Sequence, residues 1–366
     1  MESEIPPHPL ATKVIDFSDW ACNTTECTEI IIETSFQPEF TYPIFGDHET
    51  AFGYKNLLLK IKYTSGSLRP FVEITYSSQY SSPSSSSSIN EPVAADDLLK
   101  TLDPYLPQHY LTNYNNFIDA VIDDYTAFKP LGEKIQEYSQ ENNDGSVEYF
   151  EIYKSNFSNE KFREYHSRMQ LFVLLFIEGS SYIEDDDDKW EIYTTFKREK
   201  INDSYAYHFV GYFLPPYKKK GHGSKLYQTI YQLFRSRKEI CEITVEDPNE
   251  EFSDMRDKND IRYLAEHNAF KDIQKAPIAD EKLNELCEQF KLTKRQTQRC
   301  LEMYLLSKLD KLNKEEYKAY RLQVKKRLFA FNYDILRDVE DEERKLKLHE
   351  TYLGVEEDYY RLLELI

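Results

Sequence analysis

The stretch LPPYKKKGHGSKLY, Leu214 to Tyr227, decides how this chain is read. Two prolines, three lysines and a Gly-x-Gly stand directly before an apolar-periodic segment. Leu226, Tyr227, Ile230, Tyr231 and Phe234 recur at helical spacing, Ser224 lies at the start, and the cation-rich RSRK suits a helix C-terminus. A strand, a glycine loop and a helix in that order suggest a cradle for phosphate oxygens. Gly221 and Gly223 let backbone N–H groups converge on an anion, and the helix dipole and Lys218 to Lys220 add attraction. An ordinary glycine turn with solvated lysines would use the same letters. The nucleotide P-loop template fails, because Leu226 stands where its second glycine belongs. The same leucine occupies the third glycine position of the dinucleotide fingerprint, which fails too.

Working outward, YAYHFVGYFL before the loop and EICEITVED after its helix both read as strands. In the second, Cys241, Ile243 and Val245 share one face, and Glu242, Thr244 and Glu246 the other. Glu246 is then expected at the C-terminal end of a strand, where open α/β sheets gather their ligands. Asp247-Pro248-Asn249-Glu250 should open the next helix, with Asp247 as N-cap, Pro248 in the first position and Glu250 three residues after the cap. A carboxylate held close to a phosphate loop points to chemistry, whereas Glu246 alone could be a solvated acid.

The remainder bounds the class. The 366 residues are 40% hydrophobic and 14% aromatic, enough for a folded protein of two or three domains. Sixty-five acidic against 46 basic residues give a net charge of −19, which argues against direct nucleic-acid binding and favours a basic protein or peptide. The opening MESEIPPHPL has no secretory character, and no apolar run approaches a membrane span, so no membrane role and a reducing cytoplasmic or nuclear compartment are expected. Cys22 and Cys27 lack a matching Cys/His pair, and no metal is expected. The first hundred residues read as strands and turns, including Ile30–Ile32 and FVEITY at Phe71–Tyr76; Ser77–Pro92 is low-complexity and reads as a surface loop. NNFIDAVIDDY is helical, VEYFEIY at Val147 a strand, and a helix from about Glu160 ends in the buried FVLLFI. WEIYTTFKRE is another strand. From Ala279 the chain is helical, closing in a charged tail.

At this point the sequence resembles the type B histone acetyltransferase catalytic subunits, within the GCN5-related N-acetyltransferase superfamily. The resemblance covers nearly the whole chain and is carried by IFGDHETAFGYKNL (Ile44–Leu57), FREYHSRMQLFVLLFIEGSSYIEDDDDKW (Phe162–Trp190), PPYKKKGHGS (Pro215–Ser224), ITVEDPNEEFSDMRDKND (Ile243–Asp260) and YRLQVKKRL (Tyr320–Leu328). It implies an α+β fold in three parts. These are a β-rich histone-tail-binding domain (1–104), an acetyltransferase domain with a mixed sheet flanked by helices (105–272), and a C-terminal helical domain (273–366). The donor implied is acetyl-CoA and the acceptor a lysine of newly synthesised histone H4, with direct transfer. Glu246 matches the general base, with Glu178 and Asp247 as nearby carboxylates. Coenzyme contacts fall on Tyr212, Phe213, Lys218, Lys219, Lys220, Gly221, His222, Gly223, Ser224 and Asn249. Asp47, His48, Glu49 and Trp190 fall on the histone-tail side. A WD-repeat histone chaperone is the implied partner, and cytoplasm and nucleus the implied location.

Two departures stand out. Lys218 occupies the place where the superfamily loop usually starts with Gln or Arg. The segment from Trp190 to Pro215 is short of about one strand, so FVGY runs directly into FLPPY. Either YAYHFVGYFL re-registers into the central position or the product lacks that strand. In the second case the runner-up function is a histone-binding scaffold with impaired catalysis.

Overall fold

The computed structural model describes residues 18–81, 93–211 and 213–366. Most of the serine-rich stretch and Tyr212 lie outside the described residues. The chain divides into two compact units, Met1–Lys220 and Gly221–Ile366.

The first unit is built on two four-stranded sheets. After β1 (Ala21–Asn23) and the short α1 (Thr24–Cys27), β2 (Thr28–Ile32) turns back antiparallel onto β3 (Thr34–Phe36) and runs parallel to β6 (Leu58–Tyr63). β7 (Pro70–Thr75) completes the order β3-β2-β6-β7. Between them lie α2 (Tyr42–Phe45), β4 (Thr50–Phe52), paired with β1, and β5 (Tyr54–Lys55), paired with β8 (Ser78–Gln79). β6 shows why such a sequence makes a strand: Leu59, Ile61 and Tyr63 are buried, while Lys60 and Lys62 on the other face pair with Glu29 and Glu73.

After α3 (Leu98–Leu102) and α4 (Tyr114–Thr126) comes the second sheet, order β12-β11-β10-β9, antiparallel throughout. Its strands are β9 (Glu133–Glu141), β10 (Val147–Ser155), β11 (Ile192–Ile201) and β12 (Ser204–Phe209). α5 (Glu160–Phe176) follows β10. Phe162, Leu171, Phe172 and Leu175 from α5 share one core with Ile30, Leu59 and Ile61 of the first sheet and Phe196 and Phe209 of the second. The buried FVLLFI end therefore serves both sheets, as its all-round apolar character demands.

The sheet corrects the sequence reading in two places. YAYHFVGYFL does not re-register into a central position. β12 is the outer strand, joined to β11 through Asn202–Asp203 with Asn202 at a φ of 53°, and it ends at Phe209. EICEITVED does not form a strand either. Among the described residues its pairing is one bridge, Ile243 to Leu292. A strand persists only when a neighbour accepts its row of backbone groups, and alternation of side chains alone supplies none. β9 escaped the sequence reading because EKIQEYSQE is polar on both faces. It is held by its ladder to β10, and its charges suit an edge.

The second unit is helical: α6 (His222–Ser236), α7 (Glu250–Glu266), α8 (Asp280–Phe290), α9 (Lys294–Lys308), α10 (Lys314–Phe331), the short α11 (Tyr333–Leu336) and α12 (Asp341–Leu363). The charged tail of the sequence reading is thus a 23-residue helix. Its inward residues Tyr352, Glu356, Tyr359 and Leu362 are spaced by three and four, and the charges between them face water. Arg327 of α10 donates through Nε to both oxygens of Glu302 at 2.9 Å, and Tyr359 donates to the same carboxylate at 2.8 Å. The buried charge is therefore compensated, as burial requires.

His166 on α5 gives the first unit a predictable pH response. It is 5% exposed and packed against Phe157 and Phe162. Burial lowers its pKa to about 4, partly opposed by Asp185. A depressed histidine pKa contributes stability that is complete above the unfolded value near 6.5 and is lost as pH falls through 4. By pH 5 the loss should be about 2 kcal/mol. Urea melts at pH 7 and pH 5 check this, and His166→Leu should flatten the difference.

Candidate functional site

The glycine loop runs from one unit into the other. On the first side, Gly211 follows β12 in a place where a Cβ would meet Leu214 at 2.7 Å, so only glycine fits the turn. Leu214 is fully buried, and its carbonyl accepts from Tyr217 N and Lys218 N at 2.9 and 3.0 Å. Phe213 and Tyr217 are half-buried against the same core. The PPY turn thus fixes the take-off of the lysines. Lys218 pairs with Glu39, Lys219 takes a φ of 59°, and the Lys220 carbonyl accepts from Gln140 Nε2 at 2.6 Å. Lys218 was expected to face phosphate, yet its ammonium here is shared with a carboxylate.

On the second side, Gly221 is the N-cap of α6 at a φ of 86°, a left-handed conformation that glycine accepts at least cost. No side chain caps the helix. The first helical hydrogen bond is from Lys225 N to the Gly221 carbonyl at 3.1 Å. The N–H groups of His222, Gly223 and Ser224 therefore have no i−4 partner within the helix, and they stand at the positive end of its dipole. A Cβ on Gly221 would meet nothing within 4 Å, so the glycine serves the backbone turn and leaves space beside it. His222 is buried and shapes this turn. Asn259 of α7 donates to Ser224 Oγ at 3.0 Å and accepts from Gln228 at 2.8 Å, which fastens the first two turns of α6.

Glu246 and Asp247 lie in the same unit on the irregular segment before α7, both exposed. Ile243 anchors that segment by donating to the Lys291 carbonyl at 2.8 Å, and Asp247 bends it at a φ of 38°. The helix starts two residues later than the sequence suggested. Asn249, not Asp247, is the N-cap, with its side chain accepting from Phe252 N at 2.8 Å, and Glu250 is the first helical residue. The reason is geometric: a left-handed Asp247 cannot present the extended backbone of a cap, whereas Asn249 does, at φ −68° and ψ 173°. Asn249 Oδ1 is committed to the cap, leaving its amide nitrogen for a ligand.

The remaining expected residues fall in the first unit. Asp47 and His48 are exposed beyond α2. Glu49 turns inward: its carboxylate accepts from Thr41 N at 2.6 Å, Tyr42 N at 3.1 Å and Thr41 Oγ1 at 3.2 Å. It holds the loop's shape through Oε1. Glu178 is exposed just past α5, and the next residue, Gly179, donates its N–H to Tyr42 OH at 2.8 Å. The structure so joins the Glu178 segment to the Tyr42–Glu49 loop. Tyr105 OH donates to the Pro43 carbonyl at 2.6 Å, and Tyr182 OH to the Tyr105 carbonyl at 2.9 Å. Trp190 is exposed before β11. Tyr42, Tyr105, Tyr182 and Asn259 escaped the sequence reading, although Tyr42 adjoins the Ile44–Leu57 block and Asn259 lies within Ile243–Asp260.

Glu49→Ala should remove three acceptor bonds and leave two backbone donors unpaired, at a cost of about 1–3 kcal/mol. Hydrogen exchange at Thr41 and Tyr42 should accelerate selectively. Unchanged protection there would show that the carboxylate does not hold this loop.

Comparison with known proteins accounts for the same segments. A family model described as Histone acetyl transferase HAT1 N-terminus matches residues 11–178, and one described as Fungal HAT1, C-terminal, matches 257–310. A histone acetyltransferase type B catalytic subunit of Cryptococcus neoformans is 40% identical over 380 aligned positions, covering 90% of this chain and 89% of the relative. The protein of that description from Mycosarcoma maydis is 36% identical over 400 positions, covering 93% and 87%. That from Kluyveromyces lactis is 31% identical over 388, covering 95% and 93%. Each alignment is longer than the 366 residues of this chain, so the relatives carry internal residues with no counterpart here. With such identity over nearly the full length, the chain belongs to the family of histone acetyltransferase type B catalytic subunits.

Proposed function

We propose that this protein transfers the acetyl group of acetyl-CoA directly to a lysine side chain of newly synthesised histone H4, with Glu246 as general base. The family is one of histone acetyltransferases, which implies acetyl-CoA as donor. The observation that carries the reading is the uncapped N-terminus of α6 at left-handed Gly221, whose first-turn amides suit the coenzyme's pyrophosphate. Lys219, Lys220, Gly221, His222, Gly223 and Ser224 would surround the phosphates, with Lys218 joining once it exchanges Glu39. Tyr212 and Phe213 would line the pantetheine arm, and the amide nitrogen of Asn249 would add a contact.

The chemistry follows from the groups. A lysine ammonium has no lone pair, so a carboxylate must first accept a proton, directly or through one water. The free amine attacks the thioester carbonyl, the C–S bond breaks, and the attacking nitrogen gives up its second proton as the coenzyme thiolate takes one up, leaving the amide and the free thiol. Glu246 is the assigned acceptor, and Asp247 and Glu178 supply negative potential that draws the cationic side chain in. Asp47, His48 and Trp190 would contact the histone tail, with Glu49 holding their loop in place. A WD-repeat histone chaperone as partner, and action in cytoplasm and nucleus, complete the proposal.

The position of Glu246 on an exposed, strandless segment favours one alternative, a histone-binding scaffold without turnover. Transfer assays on an H4 tail peptide, with calorimetric titration of acetyl-CoA, separate the two. Glu246→Gln should lower kcat by about 10²–10⁴-fold and leave acetyl-CoA affinity nearly unchanged. Equal turnover of wild type and variant would remove Glu246 from the role. A wild-type chain that binds the tail but no acetyl-CoA would establish the scaffold.

A further inference from the structure

We propose that Asp260 and Asn259 of α7 are positioning residues that hold the first two turns of α6 in the rotation its coenzyme-binding amides require. The inference rests on the proposed role of that helix start.

Asp260 is a fully buried carboxylate. Its Oδ1 accepts from Tyr227 OH at 2.7 Å, and its Oδ2 from Gln296 Nε2 at 3.0 Å. Arg256 Nε lies 3.6 Å from Oδ2, and Arg235 Nη2 lies 3.7 Å from Oδ1. Gln296 also donates to Asp257 at 2.9 Å, and Asp257 pairs with Arg299. The preceding residue, Asn259, donates to Ser224 and accepts from Gln228. Two consecutive residues of α7 therefore grip Ser224, Tyr227 and Gln228, which lie on one face of α6.

Stability does not require this arrangement. Tyr227 and Tyr231 of α6 already join the apolar core with Ile261 and Leu264 of α7, and apolar packing would hold the two helices together. A buried carboxylate costs desolvation, and well-packed apolar residues in its place are often neutral or better. Apolar contact is non-directional, however, and lets a helix turn about its axis. Three directional hydrogen bonds to one face of the first two turns do not. The turns they clamp open the helix at Gly221, so the clamp sets where its first N–H groups aim. Gln296 and Arg299 make the rotation depend on α9 as well, which gives the C-terminal helices a role beyond packing.

The test is acetyl-CoA titration of the full chain with Tyr227→Phe, which deletes only the hydroxyl, and with Asn259→Ala, beside thermal melts. Leu301→Val, a core truncation in α9, serves as the stability-matched control. Each clamp variant should raise the acetyl-CoA Kd about fivefold to tenfold and leave kcat at saturation near wild type. The control should lower the melting temperature without moving Kd. Wild-type Kd in both clamp variants overturns the inference, as does an equal rise in the control. A wild-type chain that binds no acetyl-CoA overturns the proposed function itself, and the inference falls with it.

Discussion

Everything in the proposed coenzyme region of this protein depends on a helix that begins without a side-chain cap. α6 starts on Gly221 in the left-handed region, and its N-cap offers no side-chain acceptor. Most helices spend a Ser, Thr, Asp or Asn on that task. Leaving it undone preserves a concentration of donors and positive dipole for an anion, at some cost to the isolated helix. The compensation comes from apolar packing against α7.

The first unit solves a related problem in the Tyr42–Glu49 loop. The Tyr42–Glu49 loop carries exposed Asp47 and His48, and an exposed loop holds its shape only if its own backbone is satisfied. Glu49 supplies that by capping Thr41 and Tyr42, while Tyr42 reaches across to Gly179 beside Glu178. The two exposed acids and the exposed histidine therefore stand on a framework of side-chain hydrogen bonds. The same division appears at the glycine loop, where Leu214 and Gly211 fix the take-off and the lysines follow.

The segment before that loop forms the outer edge of the second sheet. β12 follows β11 by a tight turn, occupies the edge, and stops at Phe209. Ile243–Glu246 carries the alternation of a strand but is pinned at a single bridge. Periodicity records which faces a segment could bury. It does not record whether a neighbouring strand exists to receive its hydrogen bonds, and that neighbour lies far away in sequence.

By itself the sequence determined β2, β7, β10, the buried end of α5, the helix after Gly221 and the helical C-terminus. Each is written in local periodicity and local turn chemistry, which side-chain burial enforces wherever the segment lies. It also singled out the glycine loop and Glu246 as candidates for chemistry, on the pairing of a carboxylate with a phosphate-type loop. Only tertiary structure decided that Asn249 rather than Asp247 caps α7, that Glu49 points inward, that Lys218 pairs with Glu39, and that the charged tail is a core helix. These outcomes turn on which donor or acceptor reaches a group first in space. A carboxylate or ammonium reads the same in sequence whether its partner is water, a phosphate or a backbone amide dozens of residues away.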